Sequence, residues 1–374
     1  MDLGALGENL RQVRKAAPGA GVVPMLKADA YGLGAAQVLR AVLAETAPQG
    51  GPWAIGVAAV AEGEALRALG WAGRVLVCAP IAPGEERRAA LAGLTPAISG
   101  LDALDRWAAA ARDTGRSVSF HAEVDTGMGR AGFPAGAAGE WGPAVAERSG
   151  DLIAWEGCFT HFHSADEADR GPTEAQVRLF REALAELPPE PAGAPKRVVH
   201  CANSAAALRR GGYGMDLVRP GIFLYGGQAG ADTRPAPVAS VRARVVRVAD
   251  EPPGATVGYG ATYRATRPER WATLAIGYGD GLRRALATSG GEALLHGRRV
   301  PVIGRISMDV TVVDVTAVPN VAEGDVATLV GRDGDEEIRV DQVAARIGTI
   351  SYEILTGLGP RLPRVYRDGP GPKP

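Results

Sequence analysis

Lys27 is the first residue whose position suggests chemistry, because it directly follows an apolar run at residues 22–26. A lysine at the end of a buried strand is partly desolvated, which lowers its pKa and lets it form a Schiff base with a carbonyl group. A lone lysine could instead simply reach solvent from the strand end. Tyr31, Gly32 and Gly34 follow shortly after and suit a loop that lies against a ligand. The segment therefore favours a reactive lysine.

Two further segments carry groups that could bind an anion or move a proton. Glu123 ends one apolar run, and Arg130 follows it in a glycine-containing loop. The planar guanidinium of Arg130 suits an oxyanion, although such loops are common. His161 and His163 end another run, and two histidines at this spacing could ligate a metal. No cluster in the sequence supplies a third ligand, so we expect no metal and favour a hydrogen-bonding histidine.

Ser204 and Arg219 could form an anion site together. Asn203 and Ser204 open a predicted helix, whose free N–H groups suit a phosphate, and a plain N-cap is the alternative. Arg219 ends the next apolar run, and the backbone N–H of Gly221 could reach the same phosphate. In barrel folds a phosphate site after the seventh and eighth strands is common, which supports the anion site.

These groups need elements that bring them together, and the first 220 residues supply a repeating pattern of short apolar runs and helical stretches. The predicted strands are residues 22–26, 53–57, 74–78, 94–98, 118–124, 153–160, 197–201 and 215–218. The predicted helices include residues 35–45, 62–69, 85–91, 101–112 and 173–187. This alternation predicts a parallel sheet, and eight repeats favour a closed (β/α)8 TIM-like barrel over an open doubly wound sheet.

The chain beyond about residue 230 predicts a second, mainly β domain, since short apolar runs are separated by turn residues. Its predicted strands are residues 241–248, 271–276, 293–295, 300–303, 310–313, 326–330 and 338–340, with one helix at residues 341–347. The Ala-, Pro- and Gly-rich residues 230–237 predict the junction, so we expect domains at residues 1–232 and 233–374. Tyr278, between two glycines, could be an exposed acid or base. A dinucleotide-binding loop is disfavoured there, because no βα unit surrounds it.

The candidate groups share a position at or just past the carboxyl end of a predicted strand, on the rim that carries active sites in barrels. They are Lys27, Glu123, Arg130, His161, Ser204 and Arg219. Together they describe a lysine that binds an aldehyde, a phosphate pocket and arginines. Pyridoxal 5'-phosphate (PLP) has an aldehyde, a phosphate, a ring nitrogen and a phenolic oxygen, so we predict a PLP site.

Composition narrows the classes of function. The 374 residues carry 41 basic and 42 acidic side chains, a balance that predicts neither a nucleic acid nor a membrane surface as partner. No apolar run approaches the roughly 18 residues of a membrane span, and we expect no targeting signal. Three widely spaced cysteines, Cys78, Cys158 and Cys201, predict buried thiols in a reducing cytoplasm.

The chain resembles the PLP-dependent alanine racemases over its whole length. The motifs that carry the resemblance are LKADAYGLG, DTGMGRAGF, THFHSADE, ANSAAAL, VRPGIFLYG, VGYGATY, GYGDG, GRISMD and TISYEI. Their order and spacing together are highly specific. The resemblance implies a barrel followed by a β domain, interconversion of L- and D-alanine to supply peptidoglycan synthesis, and a homodimer with composite active sites.

The resemblance also implies roles for individual residues. Lys27 would hold PLP and exchange the proton on the D face of the substrate, while Tyr278 of the other subunit would act on the L face, tuned by His161. Arg219 would donate to the pyridine nitrogen, and Arg130 would face the substrate carboxylate. The cofactor-binding residues would be Lys27, Tyr31, Arg130, His161, Asn203, Ser204, Arg219, Gly221, Ile222 and Tyr352. The substrate site and the path into it would add Met308, Asp166, Arg305 and Ile350.

Three positions depart from the family pattern. Glu123 stands where many members carry a lysine modified to a carbamate, and we hypothesise that it supplies the same negative charge and pairs with Arg130. Ser307 stands where a cysteine is frequent, and His163 stands where a small residue is common. The substrate could therefore be another small amino acid, such as serine.

Two alternatives from other classes stay open. A PLP-dependent amino-acid decarboxylase would keep the fold, but Arg219 and the loop around Tyr278 argue against it. A barrel that only binds and delivers PLP is disfavoured by the β domain with Tyr278 and Met308.

Overall fold

The computed structural model describes residues 1–209, 213–230 and 233–368. Within these ranges, eight parallel strands of the first half form a sheet in the order β1-β9-β8-β7-β5-β4-β3-β2. The strands of this half are β1 (Gly21–Val22), β2 (Ile55–Val57), β3 (Val75–Pro80), β4 (Thr95–Ile98), β5 (Val118–Asp125), β6 (Phe133–Pro134), β7 (Ile153–Phe159), β8 (Val198–Ala202) and β9 (Leu217–Val218). The short β6 pairs with the end of β5, outside this order.

The sheet closes on itself between the segment before Lys27 and β2. The Leu26 N–H donates to the Gly56 carbonyl at 2.7 Å, and the Gly56 N–H donates to the Pro24 carbonyl at 2.9 Å. Met25 and Gly56 form the parallel bridge at this seam. Closure removes the sheet edges and brings the carboxyl ends of the strands to one rim. The (β/α)8 prediction is therefore confirmed.

Helices cover the outside of the barrel, and the longer ones bury one face, whereas all five residues of the short helix Ser204–Leu208 are buried. In the helix Leu101–Thr114, the buried residues Leu104, Trp107, Ala108 and Ala111 recur at helical spacing. The helices of this half are Leu3–Ala16, Ala35–Thr46, Val60–Ala68, Glu86–Leu91, Leu101–Thr114, Ala138–Arg148, Gly171–Glu186 and Ser204–Leu208. Within the described ranges, no helix combines the length and the apolar composition that crossing a bilayer requires.

The second half is an antiparallel β domain, as predicted. Its main sheet runs β10-β13-β16-β15-β14-β17-β18, and β10 also pairs with β17, which closes a ring of strands. The strands are β10 (Val241–Glu251), β11 (Thr256–Val257), β12 (Tyr263–Arg264), β13 (Glu269–Leu274), β14 (Glu292–Leu295), β15 (Arg298–Ile303), β16 (Thr311–Asp314), β17 (Val326–Asp333) and β18 (Glu336–Ile338). The helices Val340–Arg346 and Ser351–Thr356 follow. Along β10, the inward Val241, Ala243 and Val245 alternate with exposed arginines, because only one face of the strand is covered.

Asn9 fastens the first helix to the junction between the two halves. Its fully buried side chain donates to the carbonyls of Ala236 at 2.9 Å and Leu224 at 3.3 Å, and it accepts from the Ala236 N–H at 2.7 Å. The predicted junction, residues 230–237, includes residues 231–232. The predicted end of the first domain at residue 232 thus lies outside the described residues, as does the end of the second domain from residue 369 onward.

The last described segment of the β domain returns to the loop that follows Lys27. The Arg364 guanidinium donates to the Gly32 carbonyl at 3.1 Å, and the Tyr366 hydroxyl donates to the Leu33 carbonyl at 2.9 Å. Gly34 has a φ of +95°, and a Cβ there would lie only 2.0 Å from the Tyr366 hydroxyl oxygen. Glycine at this position therefore lets the two halves meet beside Lys27.

We expect Asn9→Ala to lower the free energy of unfolding by about 2–3 kcal/mol, because it leaves polar groups of the junction buried without partners. Glu8→Ala, on the exposed face of the same helix, removes a surface ion pair with Arg11 and an exposed hydrogen bond from Gln12, and it should cost less than about 1 kcal/mol. Urea denaturation of the two variants tests this difference, and equal losses would contradict the role given to Asn9.

Candidate active site

Lys27 opens a left-handed turn at the carboxyl end of the barrel. In this turn, Lys27–Tyr31, the residues Ala28 to Tyr31 all have positive φ values between 52° and 57°. This conformation costs L-residues roughly 1–2 kcal/mol each, so neighbouring groups must hold it. Glu62 accepts from the Ala28 N–H at 2.6 Å, and Asp29 accepts from the Ala35 N–H at 2.7 Å. The turn and its support by Glu62 were not predicted, since neither alanine nor aspartate signals such a run.

Tyr31, Ser204 and Gly221 converge as the sequence predicted. The Ser204 hydroxyl accepts from the Gly221 N–H at 2.8 Å. A Cβ at Gly221 would lie 2.2 Å from the Tyr31 hydroxyl oxygen, so glycine opens this corner. The Tyr31 ring stacks on Tyr225 with centroids 4.5 Å apart and lies 5.9 Å from the Tyr352 ring. Burial raises the pKa of Tyr31, which keeps its hydroxyl protonated and able to donate.

Asn203 has the capping role that the sequence left as an alternative. Its side-chain oxygen accepts from the Ala206 N–H at 3.0 Å, so it caps the helix Ser204–Leu208. Ile222 is buried at the start of the following short 3-10 helix, Ile222–Tyr225. Both residues border the corner formed by Ser204 and Gly221.

Arg219 lies buried inside the barrel mouth and donates to four groups, one of which is the Cys201 carbonyl at 3.4 Å. It donates to the Thr160 carbonyl at 2.9 Å, to His161 Nδ1 at 3.3 Å, and to His200 Nδ1. Burial lowers the pKa of Arg219 from its ordinary value. Burial, followed by the positive charges of Arg219, Arg130 and Lys27, lowers the pKa of His161 to about 3. His161 is therefore neutral and can accept from Arg219.

A buried glutamine connects two of the rim loops. Gln176 donates to the Thr126 hydroxyl and to the His161 carbonyl, both at 3.1 Å, and accepts from the His163 N–H at 3.1 Å. The sequence pattern did not single out this residue, because a glutamine on a helix carries no signal of its own. Its contacts fix the loop that presents His161.

Glu123 does not pair directly with Arg130, which corrects the sequence hypothesis. Among the described residues, Arg130 forms no ion pair with it, and Glu123 accepts instead from the Ser99 hydroxyl at 3.1 Å. Burial raises the pKa of Glu123 from its ordinary value of 4.5, and the Ser99 hydrogen bond and the more distant Arg130 oppose this shift. The Arg130 loop is shaped separately, by the Asp125 carboxylate, which accepts from the N–H groups of Gly127 at 2.9 Å and Gly129 at 3.1 Å.

Tyr278 and Met308 lie on adjacent loops of the β domain and remain exposed. Their relative exposures are 42% and 52%, which is high for such apolar side chains. The Tyr278 N–H donates to the Ser307 carbonyl at 3.0 Å, and a Cβ at Gly277 would lie 2.3 Å from the Met308 carbonyl oxygen. Within the described ranges, no hydrogen bond or ring contact joins Tyr278 to Lys27 or His161 of the same chain.

Arg361 links the two loops that carry Tyr278 and Met308. Its guanidinium donates to the buried Asp280 at 3.0 Å and to Asp309 at 2.7 Å. Asp280 also accepts from the Gly277 N–H at 3.0 Å. One arginine thus connects Asp280, in the Tyr278 loop, to Asp309, in the Met308 loop. This link was not predicted, because Arg361 lies far from both partners in the chain.

The residues predicted to line the path into the site lie on exposed loops. Asp166, Arg305 and Ile350 are exposed, and a Cβ at Gly230 would lie 2.0 Å from the Asp166 carbonyl oxygen. Burial and the nearby Asp166 raise the pKa of Tyr352 to about 12. Asp166 therefore stands near the tyrosine that contacts Tyr31.

Fold and site together define a two-domain barrel enzyme that carries a lysine, a corner formed by Tyr31, Ser204 and Gly221, and arginines on its rim. Models of the alanine racemase N-terminal domain and C-terminal domain match residues 1–229 and 238–366. An alanine racemase from Desulfosudis oleivorans is 37% identical over 99% of this chain and 96% of that protein. The chain therefore belongs to the alanine racemase family, which confirms the resemblance seen in the sequence.

Solved structures of alanine racemases are similar to this chain over nearly its whole length. Alanine racemase from Bacillus anthracis with bound L-Ala-P has a TM-score of 0.87 and 31% identity, covering 98% of this chain and 93% of that chain. Alanine racemase from Bartonella henselae with covalently bound pyridoxal phosphate has a TM-score of 0.85 and 28% identity, covering 98% of both chains.

Because the pKa of Glu123 is raised, the folded protein holds this proton more tightly than the unfolded chain does. Stability therefore falls as the pH rises through 4.5 toward the raised pKa. We expect Glu123→Gln to be more stable than the wild type at about pH 8, with the difference narrowing toward about pH 4. Thermal unfolding across this pH range measures it.

Glu190→Gln is the matched control, because the pKa of Glu190 is shifted in the opposite direction to that of Glu123. The Arg197 N–H lowers the pKa of Glu190, so stability is present above the ordinary pKa and is lost as the pH falls. This variant should be less stable than the wild type at high pH. A Glu123→Gln protein that behaved in the same way would show that partners hold the ionised carboxylate, as the pairing hypothesis required.

Proposed function

We propose that this chain catalyses the PLP-dependent interconversion of L- and D-alanine and so supplies D-alanine for peptidoglycan. The observation that carries the proposal is Lys27 on the barrel rim beside the Tyr31, Ser204 and Gly221 corner and Arg219, in a chain of this family. The relatives with bound L-Ala-P and bound pyridoxal phosphate support the substrate and the cofactor.

The residues present fit PLP. The corner offers two hydroxyls and a backbone N–H around a position that a Cβ would fill, which suits a phosphate. The half-buried Lys27 amine can bind the aldehyde, and Arg219 can donate to the ring nitrogen. When bound, PLP withdraws electrons from the substrate and makes its Cα proton removable.

The protein's own groups then move that proton. The Lys27 amine removes or returns it on the D face, and the Tyr278 hydroxyl does so on the L face. Arg219 holds the ring nitrogen without giving up its own proton, which limits charge build-up on the ring and disfavours side reactions. Arg130 and Met308 contact the substrate, and Asp166, Arg305 and Ile350 border the path by which it enters.

The assembly that fits these roles is a homodimer with composite sites. Tyr278 and Met308 are exposed in the single chain, and no contact within the described residues joins Tyr278 to Lys27. A second copy that brings Tyr278 to the barrel rim would cover these apolar side chains and place the two bases on opposite faces of the substrate. The three unpaired cysteines fit a reducing cytoplasm.

The decisive experiment incubates the purified protein with PLP and single L-amino acids in deuterated water. We expect L-alanine to exchange its Cα proton and to invert. If alanine stayed inert while serine inverted, the alanine assignment would be wrong, and Ser307 and His163 would be the positions to examine. Release of carbon dioxide would indicate a decarboxylase, and PLP binding without exchange would indicate a carrier of the cofactor.

Removing either base should affect the two enantiomers differently. We expect Tyr278→Phe to slow racemisation by about 10²–10⁴-fold, because one acid–base group is lost. D-Alanine should still exchange its Cα proton through Lys27 without inverting, whereas L-alanine should lose exchange as well. Lys27→Ala should abolish inversion. Proton NMR in deuterated water follows both processes, and wild-type rates for Tyr278→Phe would rule out a two-base mechanism.

Arg361 should act as a positioning residue for Tyr278. We expect Arg361→Ala to lower kcat by about 10–100-fold, since a displaced acid–base group reacts poorly, and Arg361→Lys to recover part of the loss. Exchange of D-alanine without inversion should rise relative to inversion. The control is Arg298→Ala, an exposed arginine of the same domain that donates to the Ala317 carbonyl. Equal effects of both alanine variants would contradict the role.

A further inference from the structure

A continuous line of polar side chains crosses the interior of the barrel behind Arg219. His200 accepts from Arg219 through Nδ1, and its Nε2 lies 2.7 Å from Nδ1 of His121. Nε2 of His121 lies 3.7 Å from the Glu156 carboxylate. Both imidazoles are fully buried. Barrel interiors are normally filled by apolar side chains, so this line needs an explanation.

The line runs from the catalytic rim toward the opposite end of the barrel. Arg219 follows β9 at the rim, whereas Glu156 pairs at 3.0 Å with Arg74, which directly precedes β3. The backbone makes room for it, since a Cβ at Gly157 would lie 2.6 Å from the His121 ring. The Phe159 ring lies parallel to the His200 ring, with centroids 5.0 Å apart.

The donors and acceptors along this line have only one consistent assignment. A guanidinium can only donate, so Nδ1 of His200 must be the acceptor. Burial lowers the pKa of both histidines, so each is neutral and carries one ring proton. The His200 proton is then on Nε2 and points to Nδ1 of His121. The His121 proton is in turn on Nε2 and points to Glu156.

Glu156 is the last member of this line, and its carboxylate faces Nε2 of His121. Among the described residues, Nε2 of His121 and Oε2 of Glu156 have no hydrogen-bond partner, and the 3.7 Å between them makes the carboxylate the charged group that faces this nitrogen. Without the carboxylate, His121 could move its proton to Nδ1. His200 would then have to accept on Nε2 and turn an N–H toward Arg219, where two donors would meet.

We propose that His121 and Glu156 are positioning residues for Arg219. They fix His200 as the Nε2–H tautomer, so that its Nδ1 always accepts from Arg219. Arg219 therefore keeps one orientation toward the cofactor ring. The consequence for the ring rests on the proposed function, whereas the tautomers do not, because they follow from the protein's own groups.

The test is nitrogen-15 NMR of histidine-labelled full-length protein, before and after addition of PLP. The chain has only 5 histidines, so the ring signals can be assigned by single substitutions. We expect His121 and His200 to carry their proton on Nε2 in the wild type. Glu156→Gln should keep this pattern, since its amide oxygen still accepts, whereas Glu156→Ala should produce a mixture of tautomers.

Two further readouts connect the tautomers to the site. We expect Glu156→Ala to shift the absorption band of bound PLP and to lower kcat by about 10-fold, and Glu156→Gln to restore both. Glu190→Ala is the matched control, because Glu190 is also a half-buried carboxylate paired with an arginine, but it lies outside this line. It should leave the histidine signals and the absorption band unchanged.

The outcomes separate this proposal from the proposed function. A proton on Nδ1 of His200 in the wild type, or unchanged tautomers in Glu156→Ala, would overturn the positioning role. If Glu156→Ala fails to fold, the tautomers of the wild type and of Glu156→Gln still test the positioning role of His121 and Glu156. The predicted tautomers in a protein that does not racemise alanine would support the positioning role and refute the proposed function alone.

Discussion

The closing of the parallel sheet is the constraint on which the rest of this molecule depends. The short ladder between residues 24–26 and Gly56 joins the first and second barrel strands, and closure forces all strand ends onto one rim. Lys27, Arg219, Ser204 and the His161 loop follow β1, β9, β8 and β7, which are consecutive in the sheet, so parallel pairing places them side by side on this rim. The left-handed turn after Lys27 begins at this seam, where the hydrogen bonds of Glu62 and Asp29 hold its unfavourable backbone conformation.

A second constraint follows from burying a guanidinium in that barrel. Arg219 cannot lose its charge easily, so the interior must offer it acceptors. Thr160, His161 and His200 provide them at the rim, and neutral imidazoles do so without adding a competing charge. Each buried histidine in turn needs an acceptor for its own ring proton, so further polar side chains are required deeper in the barrel. The result is a line of polar side chains through the interior of the barrel.

The β domain fixes the loops that carry the exposed side chains of Tyr278 and Met308, and it does not bury these side chains. Asp280, Arg361 and Asp309 tie together two loops whose side chains point away from the domain. The C-terminal segment meanwhile reaches back to the loop after Lys27 through Arg364 and Tyr366. The domain therefore supports the loop after Lys27 in its own chain. In the proposed dimer, it supplies Tyr278 to the active site of the other chain.

The sequence by itself determined the order of elements, the rim residues and the family, because apolar periodicity and motif spacing are local properties of the chain. It placed Tyr31, Ser204 and Gly221 together correctly. The tertiary structure decided what depends on distant partners. It replaced the expected contact between Glu123 and Arg130 with one to Ser99, gave Asn203 a capping role, and joined Arg361 to Asp280. It also lined up His200, His121 and Glu156, which are far apart in the chain but lie on the neighbouring strands β8, β5 and β7, so the pairing of these strands brings their side chains together.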